Sequence, residues 1–229
     1  MRQTEWKLIR ALPLFREVRE AQFKQLMSAA FLQRFPERML LIKEGELPDF
    51  LHIVVEGSVE LFASDDGHET TIEILQPVTT FILAAVIRDA VYLKSARTLT
   101  PAQVLMIPAV AVRDVFGRDA AFARAIVNEL AERYRGMVRA LKDEKLRTGA
   151  KRLANWILRA NAREHGRNIE LEFDKRTLAS LLGMTPENLS RNLALLAGHG
   201  VKTLGRDIIV EDERALVQFA KPNALIDGE

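Results

Sequence analysis

The sequence predicts an α+β protein in two parts, an N-terminal antiparallel barrel or sandwich and a C-terminal winged helix-turn-helix. Three observations carry this. From Phe31 to about Ile107 the chain runs in stretches of about 4 to 8 residues rich in Val, Ile, Phe and Thr, broken by Gly45, Pro48, Gly57, Asp65-Asp66-Gly67 and Pro77. From about Ala120 a helical period takes over, with Phe122, Ile126, Leu130, Tyr134, Met137 and Leu141 at steps of three and four. Beyond Gly149 the order reads helix, strand, helix, tight turn, helix, hairpin.

The elements follow in order. Trp6, Leu8, Ile9 and Leu12, then Phe23, Leu26 and Met27, mark short helices at the start. F-L-H-I-V-V, S-V-E-L-F-A, T-T-I-E-I-L and A-Q-V-L-M-I read as strands, and D-D-G as a hairpin turn. The stripe beginning at Phe122 is long enough to pack on the barrel with one edge and on a partner helix with another; a purely intramolecular core helix is the other reading. R-A-L-K-D-E-K-L-R (139–147) is charge-dense and places the domain boundary, and N-I-E-L-E (168–172) is a short strand.

The chain has 229 residues, 48% of them hydrophobic and 28% charged, as expected of a folded globular protein. Residues 1–144 hold 19 Lys+Arg against 20 Asp+Glu, and residues 145–229 hold 14 against 11, so the basic excess lies at the C-terminal end and favours an anionic partner there. The sequence has no cysteine, which excludes disulfides, cysteine catalysis, Cys-ligated zinc and a thiolate-held iron–sulfur cluster. M-R-Q-T-E-W-K-L-I-R lacks the apolar core of a secretory signal and no stretch is long enough to span a bilayer, so the expected location is the cytoplasm, with no membrane partner.

Within D-K-R-T-L-A-S-L-L-G-M-T-P-E-N-L-S-R-N-L-A-L-L-A-G-H-G, Asp174 is the expected N-cap of a helix whose apolar face is Leu178, Leu181 and Leu182, and Gly183 takes the turn. Thr185 caps the next helix and Pro186 occupies its first position, where a missing N–H costs nothing. Leu189, Leu193 and Leu196 then face inward and Glu187, Ser190, Arg191 and Ala194 outward. Such an arginine can bind guanine O6 and N7, a glutamate can accept from cytosine N4, and a serine hydroxyl can serve bases or phosphates. The predicted DNA-contacting set is Thr185, Glu187, Asn188, Ser190 and Arg191, with Lys175 and Arg176 at the start of the preceding helix.

Taken along nearly its whole length, the chain resembles the cyclic AMP receptor protein/FNR (Crp/Fnr) superfamily of bacterial transcription regulators. L-I-K-E-G-E-L-P-D-F-L-H-I-V-V-E-G-S-V-E-L-F (41–62) is similar to the β-roll of its cyclic-nucleotide-binding-type domain, a double-stranded β-helix, and E-x-x-S-R at Glu187, Ser190 and Arg191 is similar to the FNR-type recognition helix. The resemblance implies an effector-sensing domain over 1–144, including a dimerisation helix at about 111–144, and a DNA-binding domain over 145–229. It also implies a homodimer on double-stranded DNA, an inverted repeat of TTGAT-type half-sites, and RNA polymerase as a further partner. Pro186 stands where the cyclic AMP receptor branch has an arginine, so that branch's extra contact is absent.

The sensor departs from the family pattern. Ile82, Leu83 and Ala84 replace the G-E-L of the phosphate-binding cassette, and Lys94, Ser95 and Ala96 replace its R-S/T-A. The ribose-binding glutamate is gone, and an isoleucine side chain crowds the backbone where a phosphate would approach, so cyclic AMP is not the expected effector. The expected lining is Phe81, Leu83 and Val86 from the barrel and Tyr134, Met137 and Val138 from the helix, with Tyr92, Lys94, Ser95 and Arg97 as polar groups nearby. That lining suits a small aromatic ligand or a haem, and a cation there can hold a carboxylate; the resemblance implies an aromatic acid such as 4-hydroxybenzoate as effector, with haem sensing nitric oxide as the alternative. Haem needs an axial ligand, and of the four histidines His52 reads as a satisfied packing residue in a strand, His68 as a solvated turn residue, and His165 and His199 as surface or loop residues. A cupin-like metalloenzyme would need clustered His and carboxylate ligands that the barrel lacks, so no enzyme is expected. A nucleotide-sensing subunit that never touches DNA is disfavoured by the cassette and by the Glu187/Ser190/Arg191 face.

Overall fold

Local signals dictate the start and end of most elements, and the computed structural model, which describes residues 3–164 and 168–228, shows how they assemble. Three short helices, α1 (Gln3–Arg10), α2 (Pro13–Arg16) and α3 (Glu20–Ser28), lead into five strands: β1 (Phe31–Phe35), β2 (Leu40–Ile42), β3 (Phe50–Glu56), β4 (Val59–Asp65) and β5 (His68–Leu75). After β6 (Thr79–Phe81) and the short α4 (Leu83–Arg88) come β7 (Ser95–Thr98), β8 (Ala102–Pro108), α5 (Ala109–Arg118) and the long α6 (Ala120–Leu146). The strands form two antiparallel four-stranded sheets, ordered β1-β8-β3-β6 and β2-β7-β4-β5. The β4–β5 hairpin turns on Asp66 and Gly67, both at positive φ (46° and 77°), as a two-residue hairpin requires. At the β3–β4 turn Gly57 has φ +77°, and a Cβ there would lie 2.3 Å from the Pro101 carbonyl oxygen.

Alternation along β3 sorts the core into two layers. Val54 joins Val59, Leu61, Leu75, Phe81, Ala96 and Val104 between the sheets. Leu51, Ile53 and Val55 point the other way, against a helical layer that includes Phe15, Phe23, Val112, Phe122 and Ile126. The stretch expected as one helix over 111–144 is two. Asp119 ends α5 with extended backbone (φ −119°, ψ 105°) and begins α6 by accepting the Phe122 N–H at 2.9 Å. Its carboxylate, 1% exposed, also receives Arg19 Nε at 3.0 Å.

The chain divides into two compact units between Tyr134 and Arg135, inside α6. The second unit contains the end of α6, then α7 (Gly149–Glu164), β9 (Asn168–Glu170), α8 (Lys175–Leu181), α9 (Pro186–Ala197), β10 (Val201–Leu204), β11 (Asp207–Val210), α10 (Glu213–Ala220) and α11 (Ala224–Asp227). Its sheet is antiparallel, ordered β10-β11-β9, and its core joins Leu153 and Ile157 of α7 to Leu178, Leu189, Leu196, Ile208 and Leu216. The last two helices extend the predicted order. Asp212 caps α10 through the Ala215 N–H at 3.0 Å, and buried Asn155 donates to the Ala220 carbonyl at 3.2 Å, fixing α10 on α7.

The C-terminal turn is held by charge. Arg147, its side chain only 7% exposed, donates to Asp143 at 2.9 Å and to Asp227 at 2.7 and 2.5 Å, and Arg159 reaches Asp227 at 2.7 Å. Burial pushes the Asp227 carboxyl up, but hydrogen bonds from Arg147 and the Asn223 N–H, with the charges of Arg147 and Arg159, hold it below the usual carboxylate value. Asp227→Asn should therefore destabilise this unit by about 1–3 kcal/mol at neutral pH, because a largely buried guanidinium loses half its compensation. A depressed carboxylate stabilises above its unfolded pKa and loses that contribution as pH falls through the folded value. Thermal melts of the two proteins should converge in acid; a constant gap across pH would show that the Asp227 charge is not involved.

Candidate nucleic-acid interface and effector site

The helix-turn-helix is built from caps and leucines. Asp174 Oδ1 accepts the Thr177 N–H at 2.8 Å to start α8, and Gly183 turns the chain at φ +59° while its N–H reaches the Ser180 carbonyl at 2.9 Å. Thr185 Oγ1 accepts the Asn188 N–H at 3.2 Å and Pro186 takes the first position of α9. Leu189, Leu193 and Leu196 are buried, whereas Glu187, Asn188, Ser190, Arg191 and Ala194 are exposed. On the preceding helix the inward positions are Leu178, Ala179 and Leu182; the expected Leu181 is only partly covered.

Electrostatics arrange this exposed face. Arg191 Nη2 donates to Asn188 Oδ1 at 2.6 Å, which holds the guanidinium along the helix. The Glu187 carboxyl sits below its ordinary pKa because its own backbone N–H and the Thr185 hydroxyl bond to it, with Arg191 and Arg176 adding positive charge, so it is an anionic acceptor at neutral pH. Lys175 and Ser190 line a concavity of about 500 Å³ with Lys202 and Thr203 of β10. Arg176 is exposed at the start of α8.

Arg152 of α7 is a positioning residue with no local mark in the sequence. Its Nε donates to the Leu182 carbonyl at 2.9 Å and Nη2 to that of Gly183 at 3.1 Å, so one guanidinium satisfies the carbonyls exposed by the turn. Only a long-range pairing reveals it.

In the first unit the expected effector residues separate. Phe81 and Tyr92 face the space between the sheets. Leu83 and Val86 do not: α4 turns them into the helical layer with Phe15 and Val112, which corrects their expected place in the lining. Ile82, where the resemblance has glycine, has a left-handed conformation (φ 57°, ψ 20°), which glycine adopts most easily. Ser95 is buried and its Oγ is occupied by the Glu44 N–H at 2.9 Å. Arg97 is likewise engaged, donating to Glu60 at 2.7 Å and Glu69 at 2.8 Å and lying 4.1 Å over the Phe62 ring, while Glu60 also accepts the Thr71 hydroxyl at 2.6 Å. Its charge is balanced within the sheet, so it is not an open cation for a ligand. Lys94 Nζ stands 4.0 Å from Glu73. Burial, with the charges of Asp49 and Glu46, pushes the Tyr92 hydroxyl up to about 12. On α6, Tyr134 of the first unit and Met137 and Val138 of the second are exposed, as are Val127 and Leu141.

His52 differs from the expected satisfied packing residue. It is 2% exposed, pairs in register with Phe81 and Met106, and packs on the Phe81 and Phe50 rings at 5.2 and 6.3 Å, yet its Nδ1 has no hydrogen-bond partner of good geometry. Burial lowers its pKa to about 4, so the ring is neutral at pH 7. His68 is exposed at the start of β5, His199 packs on Phe219 at 4.4 Å, and His165 lies outside the described residues. Among the described residues no group of three or more His, Asp or Glu could hold a metal ion, and no helix is long and apolar enough to cross a membrane.

A β-roll with a cassette between β6 and β7, joined through a long helix to a helix-turn-helix with an exposed polar face, defines a DNA-binding transcription regulator with a ligand-binding-type domain. Residues 32–119 match the cyclic nucleotide-binding domain and residues 151–219 the Crp-like helix-turn-helix domain. The chain belongs to the Crp/Fnr superfamily. Solved structures agree in fold: a regulatory protein of Silicibacter pomeroyi described as cAMP-binding (26% identity, 96% of this chain and 100% of that one, TM-score 0.65), a transcriptional regulator assigned to the Crp/Fnr family from Eubacterium rectale (20%, 92% and 99%, 0.76), and FixK2 from Bradyrhizobium japonicum (20%, 82% and 96%, 0.73). No curated protein matches the chain significantly.

Proposed function

We propose that the protein is a cytoplasmic, homodimeric regulator that binds an inverted repeat of TTGAT-type half-sites and acts on RNA polymerase, under the control of a small aromatic acid bound in its β-roll. The observation that carries the DNA reading is the exposed Glu187, Ser190 and Arg191 face of α9, docked by Leu189, Leu193 and Leu196 and braced by Arg152 at the turn. Exposed apolar residues on α6, Val127 and Tyr134 in the first unit and Met137, Val138 and Leu141 in the second, support pairing with a second copy, since a single chain leaves them in water. In such a dimer, effector binding shifts the population in which the two α9 helices meet successive major grooves, about 34 Å apart. No enzymatic role is proposed.

Cyclic AMP is disfavoured by Ile82, Leu83 and Ala84 in the cassette. An organic acid is favoured over haem because His52, the histidine that faces the β-roll interior, is enclosed by Phe50 and Phe81. Native mass spectrometry and an absorption spectrum of the purified protein test this reading. Twice the 25.9 kDa chain mass, carrying a small organic adduct and no Soret band, is expected. A monomeric mass would refute the dimer, and a Soret band would replace the acid by haem.

A further inference from the structure

A cluster at the open edge between the two sheets deepens the effector reading, on which it rests. Glu73 pairs with Leu61 on β4 and lies two residues before Leu75, and both leucines belong to the core between the sheets, so Glu73 points to that side of β5. Two cations share its carboxylate, and neither holds it closely: Lys94 Nζ is 4.0 Å away and Arg133 Nη1 is 3.8 Å away. Charge-assisted pairs in full contact lie about 2.7–2.9 Å apart, so the anion between these cations is loosely held and only half-buried.

Arg133 makes closer contacts elsewhere. Its Nε donates to Glu129 at 3.0 Å and its Nη2 donates to the Thr80 carbonyl, while the Thr80 hydroxyl donates to the same Glu129 oxygen at 3.0 Å. Thr80 lies in β6, two residues before the cassette's left-handed Ile82, and Arg133 and Glu129 lie in α6. A change at Lys94 and Arg133 is thereby passed to α6 by direct bonds. Lys94 is partly buried, and that desolvation, with the Arg133 charge, lowers its pKa against the pull of Glu73, so a tightly bound anion would relieve a cost already present. The interior behind the cluster also holds His52, whose Nδ1 has no hydrogen-bond partner of good geometry.

We infer that Glu73 is a built-in stand-in for the effector's carboxylate: a small aromatic monocarboxylate binds between Lys94 and Arg133, displaces Glu73, and signals to α6 through the Arg133–Glu129–Thr80 contacts. Arg133 is then the second effector-binding cation, and Glu73 sets the threshold at which the effector acts. Isothermal titration of 4-hydroxybenzoate, and of its neutral amide 4-hydroxybenzamide, into the full-length protein tests this. The wild type should bind the acid and not the amide. Glu73→Gln should bind the acid about fivefold more tightly, since the competing exposed ion pair is gone. Arg133→Gln should bind it about tenfold more weakly, with Arg133→Lys intermediate. Unchanged acid affinity in both Glu73→Gln and Arg133→Gln would overturn the displacement while leaving the acid as effector. Equal binding of acid and amide, or binding of neither, would overturn both.

Discussion

Replacing Arg191 by alanine should cost about 1–3 kcal/mol of discrimination between a TTGAT-type half-site and an altered one, roughly 5- to 150-fold. The size follows from what the side chain offers. Arg191 is exposed on the outward face of α9, and its Nη2 is already tied to Asn188, so the guanidinium is held near the helix surface before DNA arrives. A bidentate contact to guanine requires that planar fork; alanine removes it without touching the leucines that dock the helix. Binding to unrelated DNA should change little, because Lys175, Arg176 and Lys202 remain to neutralise phosphates, and the salt dependence of that binding should persist. A competition titration with single-base variants reads both effects. Unchanged base preference in the variant would remove Arg191 from the readout.

Phe122→Ala should lower the stability of the first unit by about 3–5 kcal/mol, and its melting temperature by about 10–20 °C. Phe122 is fully buried, stacks on Phe15 at 6.0 Å with an interplanar angle of 12°, and has its backbone N–H fixed by Asp119. Truncation leaves a cavity where α6 meets the helical layer, and no neighbouring backbone is free to collapse into it. Phe122→Leu, which keeps most of the volume, should cost less than half as much. The loss also falls at the root of α6, so the alanine variant should show weaker self-association at a given concentration. Calorimetric melts and sedimentation equilibrium measure the two effects; a change under 1 kcal/mol would mean that α6 is not anchored there.

The helix-turn-helix was legible because its signals are local. Asp174 and Thr185 cap within three residues of themselves, Pro186 fits only the first helical position, and the leucines of α9 keep one period. The β4–β5 hairpin was equally plain from D-D-G. The break at Asp119 was less plain, since Gly117 lies inside the last turn of α5 rather than at the break itself; Asp119 stops α5 by turning its carboxylate to Phe122 and to Arg19, a hundred positions away. The effector residues were the least legible. Alternation alone does not show that α4 turns Leu83 and Val86 away from Phe81, or that Glu60 and Glu69 engage Arg97. Arg133 was missed for the same reason, since its neighbours Thr80 and Glu73 come from other elements. The unsatisfied Nδ1 of His52 depends on Phe50 and Phe81 closing around it, which one strand's sequence cannot reveal.

The most direct test is a binding titration of the full-length protein on a duplex carrying an inverted TTGAT-type repeat with half-site centres about one helical turn apart, against a scrambled duplex of equal length and composition, at two salt concentrations. A dimeric sequence reader should bind the repeat at least 10³-fold more tightly than the scrambled duplex, with both affinities falling as salt rises. Equal affinity for the two duplexes at both salt concentrations would contradict the assignment of α9 as a recognition helix for this repeat.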